Sequence, residues 1–401
     1  MKKIINILCI ALLSMCIVAC DNNDKKEEPL VVNSHCSTMG YKDSTSNIVE
    51  NENGYYISPR AEVHKSIANK YHISFIDKKT NTITPVCSKI NCNHNNKQVP
   101  EDCEAYIGEM LSGSMKYYDG YIYYIEYSQG DYGCILWRMS SNGSEHEKVC
   151  ELGNAPMNSA EYFNYVITDS YVIYTSGLAD VSKRPEQKNY AEIILYDLKT
   201  KSKCSLYNYE DMFAIIRDLR VTNDSLYFMQ RNIDGIFESK LYRLKFSDRT
   251  VELVDEKICS YTLENEDKLA YWKSYDGIYE YNTATGEKQC IMVSDDETML
   301  GIVVYSNEHL YLDNRKNAGY NKSSIASIGI LIDGKMEAKI PINGKMEAKT
   351  DTDGEVFTTT EFVGTDRILF ASLVYGGLYY SYRLLDDEKI NEELVVTELK
   401  H

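Results

Sequence analysis

The chain has 401 residues and a formal net charge of −17, with 34 tyrosines against 2 tryptophans and 9 phenylalanines. An acidic surface without a basic block repels both phosphate backbones and anionic lipid headgroups. It argues against a nucleic-acid partner and against membrane binding by the protein surface itself.

At the N-terminus, Lys2 and Lys3 precede an apolar run over 4–18, which ends in Ile17-Val18-Ala19-Cys20 and is followed at once by the polar residues 21–28. A spanning helix needs about 20 apolar residues, so residues 1–19 read as a cleaved export signal and not as an anchor helix. The tetrad resembles the lipobox of bacterial lipoproteins. That resemblance implies cleavage before Cys20, lipidation of Cys20 as the first mature residue, and an address on the extracytoplasmic face of the cell membrane. The alternative is an ordinary signal peptide in which Cys20 is incidental. Two or more acyl chains on Cys20 would hold the protein to the membrane, where one would not. Residues 20–33, polar and with a single proline at Pro29, read as a flexible tether, and residues 34–401 as one β domain.

The unit that recurs along this domain is whole between Asp119 and Lys148. Asp119-Gly120 turns into the aromatic and β-branched run 121–127, a glycine-containing loop leads to 135–139, and Asn142-Gly143 turns the chain back again. Asx-Gly supplies the positive φ that tight hairpins require, so this is a β-meander. Hairpins of the same kind are expected at 55–57 with 73–76, 121–127 with 135–139, and 171–174 with 193–196. Four more are expected at 226–229 with 241–244, 269–272 with 278–281, 310–312 with 328–332, and 368–371 with 378–384. Many of these runs are apolar on consecutive residues, as expected when both faces of a sheet are covered. Short helices are expected only over 58–70 and over 210–219, the latter from Met212, Ile215, Ile216 and Leu219 at helical spacing.

The corners repeat as well. Eight glycines follow Asn or Asp: Gly54, Gly120, Gly143, Gly235, Gly277, Gly334, Gly344 and Gly354. A second corner recurs at 77–81, 197–201 and 282–286, where the side chain of Asp77, Asp197 or Asn282 can accept local N–H groups and the fifth residue suits a left-handed turn end. Repeats of three or four strands fit an all-β fold, a β-propeller, with seven blades as the count and six or eight as alternatives. Gly334 to Lys339 recurs identically as Gly344 to Lys349, and this reads as a duplication within a surface loop.

The segment Leu269-Ala270-Tyr271-Trp272-Lys273-Ser274-Tyr275-Asp276-Gly277-Ile278-Tyr279 resembles the tyrosine-tryptophan blade of low-density-lipoprotein-receptor-like propellers. The mature chain is similar to uncharacterised lipid-anchored propeller proteins of Gram-positive bacteria. That resemblance implies fold and address and no activity.

One dense constellation stands out in the loop 87–103, between the first and second units: Cys87, Cys92, His94 and Cys103. A similar cluster occurs in the lipoproteins the chain resembles, without an assigned role. Three thiolates and an imidazole could close a tetrahedral structural zinc site and order a loop that lacks a core of its own. Export favours a rival reading in which two of the three cysteines form a disulfide, and free thiols are the third. Besides Cys20 the mature chain has nine cysteines, an odd number that cannot pair completely within one chain. Cys150, Cys204 and Cys290 each follow a hairpin corner and read as small buried core residues.

Catalytic signatures are missing from the sequence. It has no His-Glu-x-x-His, no Gly-x-Ser-x-Gly and no phosphate-binding glycine loop. Asp351 to Glu355 resembles part of a calcium loop but lacks the further spaced oxygen ligands, and the Asp-Gly pair reads as a turn. The expected function is a lipid-anchored binding or interaction module for a protein or glycan. The alternative is a polysaccharide- or peptide-acting hydrolase or lyase with its site at the mouth of the propeller channel.

Overall fold

The structure, a computed structural model, describes residues 48–58, 70–92, 102–111, 113–127, 133–154, 163–178, 189–211, 215–231, 239–293, 298–306, 309–316, 326–332, 335–341, 358–363, 367–372, 379–383 and 397–398. These residues form strands and turns, and all seven expected hairpins are present and antiparallel. Their registers pair Tyr55 with Ile76, Tyr124 with Trp137, Ile173 with Leu195 and Phe228 with Tyr242. The other three pair Tyr271 with Tyr279, Tyr311 with Ile330 and Phe370 with Tyr380.

Each hairpin is the centre of a four-strand meander. Five meanders are separate four-stranded sheets, spanning 48–85, 116–154, 165–211, 298–341 and 358–398. The fourth and fifth meanders form one seven-stranded sheet over 215–293, because they share the strand Val251–Leu263. The first part of that strand pairs with Ser239–Lys245 and its last part with Lys268–Lys273. The changeover falls at Lys257, which takes a left-handed conformation, φ +63°. A further strand pair, Lys70–His72 with Tyr106–Glu109, stands beside the first meander.

In the first six meanders the second strand carries a run of consecutive buried residues among those described, such as 122–125, 172–174 and 310–312, so both of its faces are covered there. Ser225–Arg231 is buried at every position but the last, whereas the outer strand Lys203–Asp211 has a single buried residue, Leu206. No single sheet could hide such strands, so the core lies between sheets. Tyr56, Ile122, Tyr124 and Met139 join the first and second meanders. Ile125, Leu136, Tyr165 and Tyr174 join the second and third, and Ile193, Leu206, Ile216 and Phe228 the third and fourth. Tyr227, Leu241, Tyr261 and Tyr271 join the fourth and fifth, and Ala270, Ile278, Leu310 and Leu312 the fifth and sixth. Burying each large apolar side chain is worth about 2–3 kcal/mol, so these layers outweigh any contribution of the surface ion pairs.

The corners hold as the side chains require. Oδ1 of Asp77 accepts from the N–H groups of Lys79 and Thr80 at 2.8 and 2.7 Å, and Oδ1 of Asp197 from those of Lys199 and Thr200 at the same distances. Asn282 does the same for Ala284 and Thr285 at 3.0 and 2.8 Å. The fifth residues Asn81, Lys201 and Gly286 are all left-handed.

Three expectations are corrected. The described residues of 210–219 are strand and not helix: 210–211 end the strand Lys203–Asp211 and 215–219 begin Ile215–Val221. A β-bulge between Arg217 and Arg220 inserts one extra residue, so the buried Ile215, Ile216 and Leu219 fall at a spacing that imitates a helix. The first copy of the duplicated segment is not a loop but part of the strand Lys335–Pro341, since Met336, Ala338 and Ile340 alternate with Glu337 and Lys339. Cys290 is exposed, because the strand Lys288–Val293 is the outer strand of its meander, while Cys150 is buried and Cys204 half-buried. The helix expected over 58–70 falls almost wholly outside the described residues, as does the second copy of the duplication.

Candidate functional site

Of the residues singled out in the sequence, Cys20, Cys36, His94 and the segment 351–355 lie outside the described residues. Cys87, Cys92 and Cys103 are described and are brought together, with all three sulfur atoms within 4.8 Å of one another. The fold does this through Ile73, which lies beside the strand Ser74–Asp77. Its carbonyl accepts from the N–H of Val86 at 2.9 Å and its N–H donates to the carbonyl of Ala105 at 2.8 Å, so one residue pins both flanks of the cysteine loop. A turn closed by Cys92 N–H on the carbonyl of Lys89, 3.3 Å, returns the chain toward Cys87.

Glu104 organises the loop from the other side. Its Oε2 accepts from the N–H and hydroxyl of Ser88 at 2.8 and 2.7 Å, and from the Cys87 thiol at 3.8 Å. Lys89 donates to the carbonyl of Asp102, and the imidazole of His146 donates to the carbonyl of Glu104. His146 belongs to the next meander, and no spacing rule could connect it with a loop 42 residues earlier.

The three thiols are not equivalent. Burial pushes Cys103 up to about 12, and the N–H of Ala105, which donates to its sulfur at 3.4 Å, offsets only part of this. Burial also raises Cys87, but N–H groups of Lys89 and Glu104 and the neighbouring thiols outweigh it and hold Cys87 below the ordinary cysteine value. Cys92 is raised, first by burial. No disulfide joins the eight described cysteines to one another.

A second constellation sits on the first strand of the fourth meander, Ile215–Val221, and went unseen in the sequence. The bulge leaves Asp218 left-handed, φ +59°. Arg217 is held there by long contacts alone: Nη2 lies 3.4 Å from both Ser239 Oγ and the carbonyl of Cys259, and Nε lies 3.5 Å from Asp218 Oδ2. That Nε is buried and has no hydrogen-bond acceptor. Tyr261 locks the bulge by donating its hydroxyl to the carbonyls of Asp218 and, at 2.9 Å, Tyr227. A half-buried guanidinium with poorly satisfied donors is suited to an oxygen acceptor from a ligand.

On the fourth and fifth meanders two further groups of charged side chains pair with one another. Asp255 accepts from the Tyr271 hydroxyl at 2.8 Å and meets Lys273 at 3.3 Å and Lys288 at 3.2 Å. Burial raises its carboxyl, yet these donors overcome that and hold it below the usual carboxylate value. A cleft of about 600 Å3 on the fifth meander is lined by Asp267, Lys268, Glu280, Glu287 and Lys288. Lys268 pairs there with Glu280 at 2.7 Å and with Glu264 at 3.1 Å, so the cleft is a solvated ion-pair surface.

No family model and no curated protein matches the sequence. Solved structures do match in fold. One, from a study of two prolyl endopeptidases, is 13% identical with a TM-score of 0.53, covering 86% of this chain and 48% of that one. The β-propeller domain of the trilobed protease from Pyrococcus furiosus is 9% identical with a TM-score of 0.52, covering 91% and 97%. An oligogalacturonate lyase in complex with manganese is 12% identical with a TM-score of 0.50, covering 86% and 98%. The chain spans about half the length of the first peptidases it matches. At such identities the likeness is one of fold: the chain is all-β and antiparallel, with β-propeller domains among its structural neighbours.

Proposed function

We propose that the chain is a β-propeller of seven blades, lipid-anchored through Cys20 on the extracytoplasmic face of a Gram-positive cell membrane, that binds a protein or a glycan. The observation that carries the ring is a second buried face on the first meander. Tyr56 points toward the second meander, while Tyr55 and Ile57, alternating with it, belong to a separate cluster with Ile48, Ile76 and Ile83. Tyr55, Ile57 and Ile76 are 0% exposed. An end sheet of an open array would leave this face wet, so it supports a seventh blade closing against the first.

In such a ring the first strands line the channel, and the half-buried guanidinium of Arg217, held by long contacts, is the group there suited to an oxygen-bearing ligand. The acidic surface makes nucleic acid an unsuitable partner. A hydrolase or lyase acting on polysaccharide or peptide at the channel mouth is the second reading, and the peptidases and the lyase among the structural neighbours lend it some support.

The full chain, purified in detergent, should retain a protein or glycan from panels of peptides and polysaccharides without creating new termini. Turnover of either panel would replace the binding reading with the enzymatic one. Cys20→Ala should abolish lipidation and membrane retention, and unchanged retention and mass would refute the anchor.

A further inference from the structure

We propose that Cys87, Cys92 and Cys103 bind one zinc ion as a three-thiolate site, and that this ion staples the loop 87–103 across the junction of the first and second meanders. The proposal stands independently of the binding function above.

Geometry is the first argument. Three zinc-bound thiolates in a tetrahedron lie about 3.8 Å apart, from a zinc–sulfur distance of about 2.3 Å. Sulfurs already within 4.8 Å of one another need to close by roughly 1 Å at most. A disulfide would draw two of them to about 2 Å and strand the third. Three thiols meeting at one point are what a metal uses in full and a bridge does not.

The second argument is what faces the sulfurs. The N–H two residues after Cys103, that of Ala105, donates to its sulfur at 3.4 Å, and the N–H two residues after Cys87, that of Lys89, donates to the Cys87 sulfur. Backbone donors aimed at sulfur stabilise thiolate, the form that ligates metal. The Glu104 carboxylate lies 3.8 Å from the Cys87 sulfur, where it would repel a thiolate unless a cation balanced them. Glu104 is itself held by Ser88 and so sits beside the sulfurs as a supporting group. Among the described residues the donor set is these three sulfurs.

The third is placement. Among the described residues of the loop, Ile90 is 98% exposed and only Cys103 of the three cysteines is buried. Yet Val86 and Cys87 pack directly on Gly143 of the second meander. A metal would fix this otherwise weak segment against its neighbour.

The test is metal analysis of the full chain, purified in detergent without chelator, with Cys92→Ser and the exposed Cys290→Ser beside it. The expected result is about one zinc per chain, lost at least tenfold in Cys92→Ser and unchanged in Cys290→Ser. Cobalt replacement in the unaltered chain keeps the test independent of variant folding, and should give thiolate-to-metal charge transfer with tetrahedral d–d bands. Zinc unaffected by Cys92→Ser, a cobalt spectrum without thiolate bands, or a disulfide between any two of the three cysteines in the unreduced chain would each overturn the proposal.

Discussion

The carbonyl oxygen of Val86 lies 2.3 Å from where a Cβ on Gly143 would stand, so the first and second meanders meet backbone to backbone at this turn. Gly143 is also left-handed, φ +86°. Gly143→Ala therefore carries two costs, about 1 kcal/mol for the conformation and a clash that rigid backbone cannot relieve. Gly120, at φ +79°, has nothing within 4 Å and carries only the first. Denaturant unfolding should show a loss of about 1 kcal/mol for Gly120→Ala and roughly 2–4 kcal/mol for Gly143→Ala. Equal losses would mean that the contact with Val86 is absent in solution.

Tyr261 ties the inner strands of the fourth and fifth meanders, because its hydroxyl serves the carbonyls of both Asp218 and Tyr227. Tyr261→Phe keeps the ring and strips the donor from buried acceptors, a cost of about 1–3 kcal/mol. Thermal unfolding checks this, and a neutral substitution would remove the lock from the Arg217 bulge.

His72 is held near a pKa of about 4 by burial, below its ordinary value. Between about pH 6.5 and 4 the unfolded chain takes up a proton that the folded chain refuses. The neutral folded form therefore keeps its full stability above pH 6.5 and loses it as pH falls toward 4. The loss attributable to His72 has an upper bound of about 3 kcal/mol, reduced because the ring is partly exposed. In His72→Gln the unfolding free energy should fall less steeply over this window, and an identical slope would show that the ring is protonated freely in the fold.

Ile57 is completely buried on the face of the first meander that turns away from the second. Ile57→Ala should cost about 2–5 kcal/mol in denaturant unfolding, the price of a core cavity. A cost under 1 kcal/mol would mean that nothing covers that face.

Hairpins and corners were legible in the sequence because each depends on residues a few positions apart. Asx-Gly at 142–143 and the Asx turns at 77, 197 and 282 set their own backbone, and paired apolar runs name their own partners. The Arg217 bulge was not legible, since one extra residue in a strand turns a two-residue period into an apparent helical one. Nor could the exposure of Cys290 be read, because burial there depends on which strand lies outermost. The convergence of three cysteines was visible as spacing alone. Their support by Ile73, Ala105 and His146 comes from strands and turns that the fold assembles and the local sequence does not announce.

The central claim is that the meanders close into a ring, and a crystal structure of the full chain at the junction of its first and last sheets tests it most directly. The account predicts that the sheet containing Ile368, Leu369, Phe370 and Ala371 lies on Tyr55 and Ile57. Finding that face in solvent, or covered only by residues of the N-terminal 1–47, would contradict it.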